Sequence, residues 1–318
     1  MRMQIFFTFV VVATLMSPQA ATAAPIRTDS PKIAAYNVFM LPRTLYPNWG
    51  QMTRADLIDQ QNVLAGQDVV VLNELFDNES GDRLLRNLAD SHPHRTPVVG
   101  RSRTGWAATT GAYSDVAPED GGTAIVSKWP ITRATQHVFN ESCGVETQSN
   151  KGFAYAKLDS PNGSVHVIGV HAQAEDPSCT VSPASVRAAQ RAEITQFVVD
   201  TRIPAAEPVY IAGDMNVIGD SAEYSTMLRS LGAKTPVLNG NPHSWDCPNN
   251  SVCRGQYGDD YAAEHLDYVL SLEGHAGPNT LVNETRAVKS PTWKVTSWFT
   301  TYTYNDYSDH YPVFAYAG

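Results

Sequence analysis

Short apolar runs, each bounded by polar or turn residues, recur along most of this chain. The clearest are Val69-Val70-Val71-Leu72 and Val209-Tyr210-Ile211-Ala212, and such runs are typical of strands buried inside a sheet. By this criterion, strands are predicted over residues 33–39, 68–74, 122–127, 153–159, 165–171, 209–213, 265–272 and 311–317. The stretches between them include segments that are predicted to be helices, over residues 53–64, 82–89, 182–200 and 221–231.

Residues that favour turns and helix ends support this division. Asn162-Gly163 predicts a tight hairpin turn between two strands. Thr53 and Ser182 are predicted N-caps, and Gly232 is placed to end the last helix. Because strands and helices alternate throughout, the sequence predicts an α/β fold in which two packed mixed β-sheets are flanked by helices. This is a four-layer α/β/β/α sandwich.

The first residues have the pattern of a secretory signal. Arg2 precedes an apolar run over residues 5–16, and Ala21-Thr22-Ala23 has the small-x-small form of a cleavage site. The run is too short to span a membrane. We therefore expect residues 1–23 to be a signal peptide, residues 24–318 to form a single catalytic domain, and the mature protein to be secreted into the extracellular medium.

The four cysteines fit a secreted protein. An even count in this compartment suggests two disulfides, for which three pairings exist. Cys247 and Cys253 are close in sequence and are expected to pair locally, which leaves Cys143 with Cys179. Zinc binding is the alternative, but neither pair has the short Cys-x-x-Cys spacing of zinc sites.

Several predicted strands end in polar residues that can do chemistry. These are Asn37, Glu74, His171, Asp214, Asn216, Asp267, Asp309 and His310. Each alone has an ordinary explanation, such as a turn, a helix cap or a surface ion pair. Ligand sites in layered α/β proteins collect at strand ends, so the whole set predicts one shared site.

The chemistry of this set favours magnesium and a phosphoester. Carboxylate and amide oxygens, such as those of Glu74 and Asn37, suit Mg²⁺. His310 is a candidate general base with Asp267 orienting its ring, and His171 is placed to act on the leaving oxygen. His166 lies five residues from His171, on the opposite strand face, and is expected to be structural. Neither a Gly-x-Ser-x-Gly elbow nor a phosphate-binding Gly-x-x-x-x-Gly-Lys loop is present.

These residues resemble the endonuclease/exonuclease/phosphatase superfamily. The resemblance rests on Asn37, Glu74, Gly213-Asp214-Met215-Asn216, Leu266-Asp267-Tyr268 and Ser308-Asp309-His310. Longer segments, among them Leu72-Asn73-Glu74-Leu75-Phe76-Asp77-Asn78 and His171-Ala172-Gln173-Ala174-Glu175-Asp176, are similar to the secreted bacterial neutral sphingomyelinases C. This resemblance covers the chain from about residue 33 to its end. It implies Mg²⁺-dependent hydrolysis of sphingomyelin to ceramide and phosphocholine, and several such enzymes are haemolysins.

The resemblance also implies residue roles. Glu74 would be the central metal ligand with Asn37 beside it, and Mn²⁺ or Co²⁺ are alternative metals. Asp214 and Asn216 would hold the phosphate and the water, His310 would be the base accompanied by Asp309, and His171 would act on the leaving oxygen. A second, peripheral metal site would use the Phe76 carbonyl, Asn78, Glu119 and Asp120. The family disulfide corresponds to Cys143–Cys179, whereas Cys247–Cys253 departs from the family pattern.

A sphingomyelinase must contact a bilayer. Trp298-Phe299 lies in a Thr-rich strand pattern, and in the family a protruding hairpin with an aromatic tip inserts at the membrane surface. The alternative is a hairpin packed on the core. A net charge of −9 argues against nucleic acid as the main partner. We expect a monomer in peripheral contact with sphingomyelin membranes; a secreted nuclease and a non-enzymatic pore former are the rival functions.

Overall fold

The structure is a computed structural model that describes residues 30–318. The predicted signal peptide lies outside the described residues. The strands are β1 (Ile33–Asn37), β2 (Val69–Asn73), β3 (His94–Arg95), β4 (Ala108–Gly111), β5 (Ala124–Ser127), β6 (Ile131–Val138), β7 (Gly152–Ser160), β8 (Gly163–His171), β9 (Val209–Asp214), β10 (Val237–Gly240), β11 (Asp267–Ser271), β12 (Leu281–Thr285), β13 (Trp293–Ser297), β14 (Thr300–Tyr304) and β15 (Val313–Ala317). The helices are α1 (Gln51–Gln60), α2 (Asn78–Asn87), α3 (Pro183–Thr201), α4 (Ala222–Leu231) and α5 (Ser251–Tyr257).

Two mixed sheets form the centre of the fold. One has seven strands in the order β10-β12-β15-β1-β2-β5-β3, and the other has six in the order β11-β9-β8-β7-β6-β4. Strands β1 and β2 are parallel, as are β8 and β9, while β11 runs antiparallel to β9. Strands β2 and β9, which lie inside the two sheets, are buried at every residue, as expected where both faces are covered.

Apolar side chains fill the space between the sheets. Fully buried residues of the first sheet, such as Val71, belong to the same cluster as Ala212 and Val269 of the second. On the outer faces, α1 and α2 contribute Ile58 and Leu84 to one further cluster, and α3 and α4 contribute to another. The predicted four-layer α/β/β/α sandwich is thereby confirmed.

Two helices begin earlier than predicted. Gly50, with a φ of 53°, is the N-cap of α1, so Thr53 lies inside the helix rather than at its cap. A side chain at residue 50 would put its Cβ 2.5 Å from the Trp293 ring, which restricts this turn to glycine. Helix α2 begins at Asn78 instead of residue 82, because the Asp77 side chain accepts a hydrogen bond from the Ser80 amide.

The predicted helix ends and disulfides can also be compared with the structure. Gly232 ends α4 in a left-handed conformation, as predicted, and the Ser221 side chain caps the start of this helix. Ser182 precedes α3 without the predicted side-chain capping bond. Both predicted disulfides, Cys143–Cys179 and Cys247–Cys253, are present, so neither pair is available for zinc. Within residues 30–318, no helix has the length and apolar character needed to cross a membrane.

Candidate active site

Strand register brings the acidic and histidine side chains together. His171 at the end of β8 pairs with Asp214 at the end of β9, and Asp214 pairs in turn with Asp267 at the start of β11. Adjacent strands lie about 5 Å apart, so three functional side chains enter the site in one row. The positions of these three residues thus follow from the order of three strands in one sheet.

Gly213 is required by the neighbouring backbone. Its φ is 134°, and a Cβ there would lie 2.0 Å from the carbonyl oxygen of Val170. A side chain at residue 213 would therefore collide with the backbone of strand β8. Asn73, from the opposite sheet, accepts a hydrogen bond from the Asp214 amide at 3.0 Å and donates one to the Val170 carbonyl at 3.0 Å. Asn73 thereby holds the two sheets together beneath the site.

Asn37 connects carboxylates that come from different sheets. Its Nδ2 donates to Glu74 Oε1 at 2.8 Å and to Asp214 Oδ2 at 3.1 Å, while its Oδ1 accepts from the Phe39 amide. In this arrangement Asn37 positions the two carboxylates through its nitrogen. Glu74 has a φ of 61°, a left-handed conformation that is costly for a residue with a side chain and that is found mainly at functional sites.

His310 is oriented by Asp267. The ring Nδ1 lies 2.7 Å from Asp267 Oδ2, and Nε2 lies 3.8 Å from Asp214 Oδ2. Burial opposes protonation of His310, but the charges of Asp267, Asp309 and Asp214 outweigh it and raise the pKa well above its ordinary value. The ring is thus fixed with one nitrogen facing the centre of the site, as a general base requires.

The other titratable groups have different protonation properties. The Nε2 of His171 lies 4.0 Å from Glu74 Oε1 and 3.9 Å from Asp214 Oδ2. Burial, and then the positive charges of Lys151 and His310, lower the pKa of His171 well below its ordinary value. Burial raises the pKa of Asp214 to about 6, and Asp267 adds to the effect. The two histidines therefore differ in protonation, because His171 loses its proton at a lower pH than His310 does.

The acidic cluster fits a hard divalent cation. Glu74, His171 and Asp214 each offer a ligand atom within 4.8 Å of the others, and so do Asp214, Asp267 and His310. Glu74 Oε2 and Asp267 Oδ1 are buried and have no hydrogen-bond partner among residues 30–318. Burial raises the pKa of Glu74. Buried carboxylate oxygens without partners are stabilised by a bound cation, so these donors suit Mg²⁺.

Some of the predicted peripheral metal ligands already have partners. Asp120 Oδ2 accepts from Arg101 Nε at 2.8 Å, and its Oδ1 accepts from the Gly122 amide at 2.8 Å. Glu119 Oε1 accepts from the Asp120 amide, and burial raises the pKa of Glu119 to about 7. Glu119 and Asp120 are adjacent in the chain. Phe76 lies near them, because a Cβ added to Gly122 would come within 2.9 Å of the Phe76 ring.

The remaining predicted residues occupy distinct positions. Asn216, with a φ of 50°, donates its backbone amide to Asp214 Oδ1 and its side-chain amide to the Ala172 carbonyl. Asp309 is buried behind His310 and accepts from the Ser308 hydroxyl at 3.2 Å, and burial raises the pKa of Asp309 to about 7. His166 is buried between Tyr155 and Glu207, in keeping with its expected structural role.

The sequence did not predict a role for Arg54, which holds two loops next to the site in place. Its guanidinium is fully buried and donates to the carbonyls of Val38 at 2.5 Å, Tyr307 at 3.0 Å and Trp49 at 2.8 Å, and also to that of Phe39. Arg54 therefore joins the loop after Asn37 to the loop before His310. The only signal was an arginine on the apolar face of a predicted helix.

Trp298 and Phe299 form the tip of the β13–β14 hairpin. Their side chains are 86% and 103% exposed, whereas Trp293 and Tyr304 at the hairpin base are buried against Trp49. Both tip residues have positive φ, 50° and 66°. The core-packed alternative for these two residues is therefore wrong, because only the base of the hairpin packs on the domain.

Comparisons with known proteins agree with this geometry. Residues 34–310 match the Endonuclease/Exonuclease/phosphatase family. A sphingomyelinase C of Bacillus cereus is 48% identical over 301 residues, which cover 92% of this chain and 90% of that protein. Among solved structures, a beta toxin variant from Staphylococcus aureus with bound magnesium ions superposes with a TM-score of 0.89 at 44% identity, covering 91% of this chain and 100% of the other. Sphingomyelinase C from Streptomyces griseocarneus does so with a TM-score of 0.89 at 46% identity, covering 92% and 100%. The chain therefore belongs to the endonuclease/exonuclease/phosphatase family, within its sphingomyelinase C group.

Proposed function

We propose that this protein is a Mg²⁺-dependent phosphodiesterase that hydrolyses sphingomyelin to ceramide and phosphocholine at a membrane surface. The observation that carries the proposal is the grouping of Glu74, His171 and His310 around Asp214, with both imidazole Nε2 atoms within 4 Å of one carboxylate oxygen. Similar relatives are named sphingomyelinase C, which supports the choice of substrate.

The residues divide the reaction between them. His310 removes a proton from the attacking water through Nε2, while Asp267 holds the ring and stabilises its protonated form. His171, on the other side of Asp214, donates a hydrogen bond to the ceramide oxygen as the bond between that oxygen and phosphorus breaks. The leaving oxygen takes its proton from solvent water, and His310 returns to solvent the proton that it took from the attacking water. Asp214 and Asn216 orient the water and the phosphate. A divalent cation bound at Glu74 would neutralise the phosphate charge and polarise its oxygens. A second cation is proposed at Phe76, Asn78, Glu119 and Asp120.

The hairpin tip provides the membrane contact in this proposal. Type I′ hairpins require positive φ at both central positions and favour Asn-Gly there. This chain instead has Trp298 and Phe299 in those conformations, with nearly all of their surface exposed. Two exposed aromatic residues held against their backbone preference point to a role outside the folded domain, and aromatic rings suit the membrane interface.

Secretion, a monomeric state and lysis of erythrocytes belong to the same proposal. The N-terminal pattern supports export, and hydrolysis of sphingomyelin in a host membrane would remove its zwitterionic headgroup and weaken the bilayer. The acidic net charge of −9 suits a choline lipid better than DNA.

One experiment separates the rival functions. The purified protein is incubated with sphingomyelin, phosphatidylcholine or DNA, with Mg²⁺ or with a chelator. We expect phosphocholine release from sphingomyelin that depends on Mg²⁺. DNA cleavage without phosphocholine release would instead favour a nuclease, and lysis that persists in Glu74→Ala and His310→Ala would favour a pore former.

A further inference from the structure

The segment between β10 and β11 borders the proposed catalytic base. Trp245 exchanges two backbone hydrogen bonds with Glu264, at 2.9 and 2.7 Å, and also forms a β-bridge with His310. The Tyr311 amide donates to the Ser244 carbonyl at 2.7 Å, which extends the same contact. Trp245 is therefore held beside the His310 backbone, although none of the catalytic steps described above uses it.

Three aromatic side chains of this segment lie against one another. The ring centroids of Trp245 and Tyr257 are 5.3 Å apart, and that of Tyr261 lies 6.0 Å from each of them. All three pairs are edge-to-face. Tyr257 is 40% exposed and Tyr261 is 54% exposed. Clustered aromatic rings are more often buried in a hydrophobic core. The three residues, called the aromatic triad below, form one cluster in which both tyrosines are exposed at the protein surface.

The second disulfide fixes the aromatic triad. Cys247 lies two residues after Trp245, and its partner Cys253 lies in α5, which ends at Tyr257. The same helix is anchored to the catalytic loop, because Asn250, its N-cap, donates to the Ser308 carbonyl at 2.9 Å. The position of this disulfide gives it a specific effect, because it fixes the distance between the segment that carries Trp245 and the helix that ends at Tyr257.

The charges around the aromatic triad favour a cation. Asp259 and Asp260 are exposed between the two tyrosines, and Glu264 is paired with Trp245 through the backbone. An aromatic surface with acidic neighbours attracts a cation through both the ring quadrupoles and simple charge.

We infer that Trp245, Tyr257 and Tyr261 bind the quaternary ammonium group of the substrate headgroup. This inference rests on the proposed function, since it assigns the choline end of the phosphodiester that His310 and Glu74 would act upon. Cation–π contacts are strongest with desolvated, weakly hydrated cations, and a trimethylammonium group meets that description. The Cys247–Cys253 disulfide then serves as a positioning element for the headgroup.

The test compares two soluble substrates that differ only in charge. One is the para-nitrophenyl ester of phosphocholine, and the other is its neutral analogue with carbon in place of the choline nitrogen. For Tyr261→Ala we expect KM for the cationic ester to rise about 10-fold, with little change in kcat and none for the neutral ester. Tyr261→Phe, which retains the ring, should behave as wild type. Tyr113→Ala is the control, because Tyr113 is a tyrosine outside the triad that carries its own cation–π contact with Arg103.

Two outcomes would overturn the inference, and a third concerns only the proposed function. An equal rise in KM for both esters, or no change for either, would show that the triad does not recognise the positive charge of the headgroup. A failure of the wild type to hydrolyse either ester or sphingomyelin would contradict the proposed function instead. In that case a titration with tetramethylammonium, followed by tryptophan fluorescence in wild type and Tyr261→Ala, still decides the site. Saturable quenching that the variant lacks supports it, and identical responses overturn it.

Discussion

Asp267 Oδ2 lies 2.7 Å from His310 Nδ1, and this contact orients the opposite ring nitrogen toward Asp214. The carboxylate has a second effect, because its charge helps to raise the pKa of His310 against the effect of burial. A general base acts in its neutral form, so the rate rises with pH as His310 loses its proton.

Asp267→Asn should therefore change the pH profile in a definite direction. Loss of the negative charge lowers the pKa of His310, so the acidic limb of kcat/KM moves to lower pH. The maximal rate should also fall by about 10²-fold or more, because the ring loses its orienting partner. Asp56→Asn, at a surface pair with Arg83, is the control and should leave the profile unchanged. An acidic limb that stays in place would show that another group is the base.

Glu74 is the group whose loss should most weaken Mg²⁺ binding at the catalytic site. Its Oε2 is buried without a partner in the described chain, and the carboxylate is held by Asn37 at 2.8 Å. Glu74→Gln keeps the shape of the side chain but removes the charge, so we expect at least about 10²-fold weaker Mg²⁺ binding by calorimetry and a similar loss of activity. Glu79→Gln provides a control, since Glu79 is a 66% exposed carboxylate on α2. Undiminished Mg²⁺ binding by Glu74→Gln would place the metal elsewhere.

Much of the fold and site could be predicted because apolar runs identify central strands. Strand β9 has the apolar sequence Val-Tyr-Ile-Ala before Gly213. The polar residues at such strand ends are predicted to form one site, and the strand register places His171, Asp214 and Asp267 side by side. Strand β6 was missed because its sequence, Ile-Thr-Arg-Ala-Thr-Gln-His-Val, is mostly polar and its fit depends on the neighbouring strand β7.

Long-range contacts set the limit of what the sequence predicts. The backbone bonds of Arg54 reach residues as distant as Tyr307, and no local pattern indicates them. The aromatic triad comes from a segment without hydrophobic periodicity, so its three rings meet only after folding. The start of α1 was also misjudged, because it depends on the contact between Gly50 and Trp293.

Arg54 should be essential for stability as well as for the site. Arg54→Lys leaves one charged nitrogen where the guanidinium donates to four carbonyls, so several buried acceptors lose their partner. We expect unfolding in denaturant to show a loss of about 3 kcal/mol, together with reduced kcat. Arg83→Lys, at an ion pair whose arginine side chain is 41% exposed, should cost less than about 1 kcal/mol. Similar losses in both variants would contradict the role given to Arg54.

The hairpin tip can be tested without damaging the turn. Replacing Trp298 by Asn and Phe299 by Gly supplies the residues that a type I′ turn prefers, so stability should be unchanged or slightly higher. Hydrolysis in sphingomyelin vesicles should fall by about 10-fold or more, while hydrolysis of a soluble phosphocholine ester should be unaffected. Loss on both substrates would mean that the tip acts on catalysis itself rather than on membrane binding.

The central claim is that His310 directs water at the phosphorus of sphingomyelin with a divalent cation at Glu74. The most direct measurement is hydrolysis of sphingomyelin in water labelled with heavy oxygen, with Mg²⁺ or with a chelator, followed by mass spectrometry of the products. We predict that the label enters phosphocholine, that ceramide remains unlabelled, and that the reaction stops with chelator and in His310→Ala. Label in ceramide, release of free choline, or undiminished turnover in His310→Ala would contradict the account.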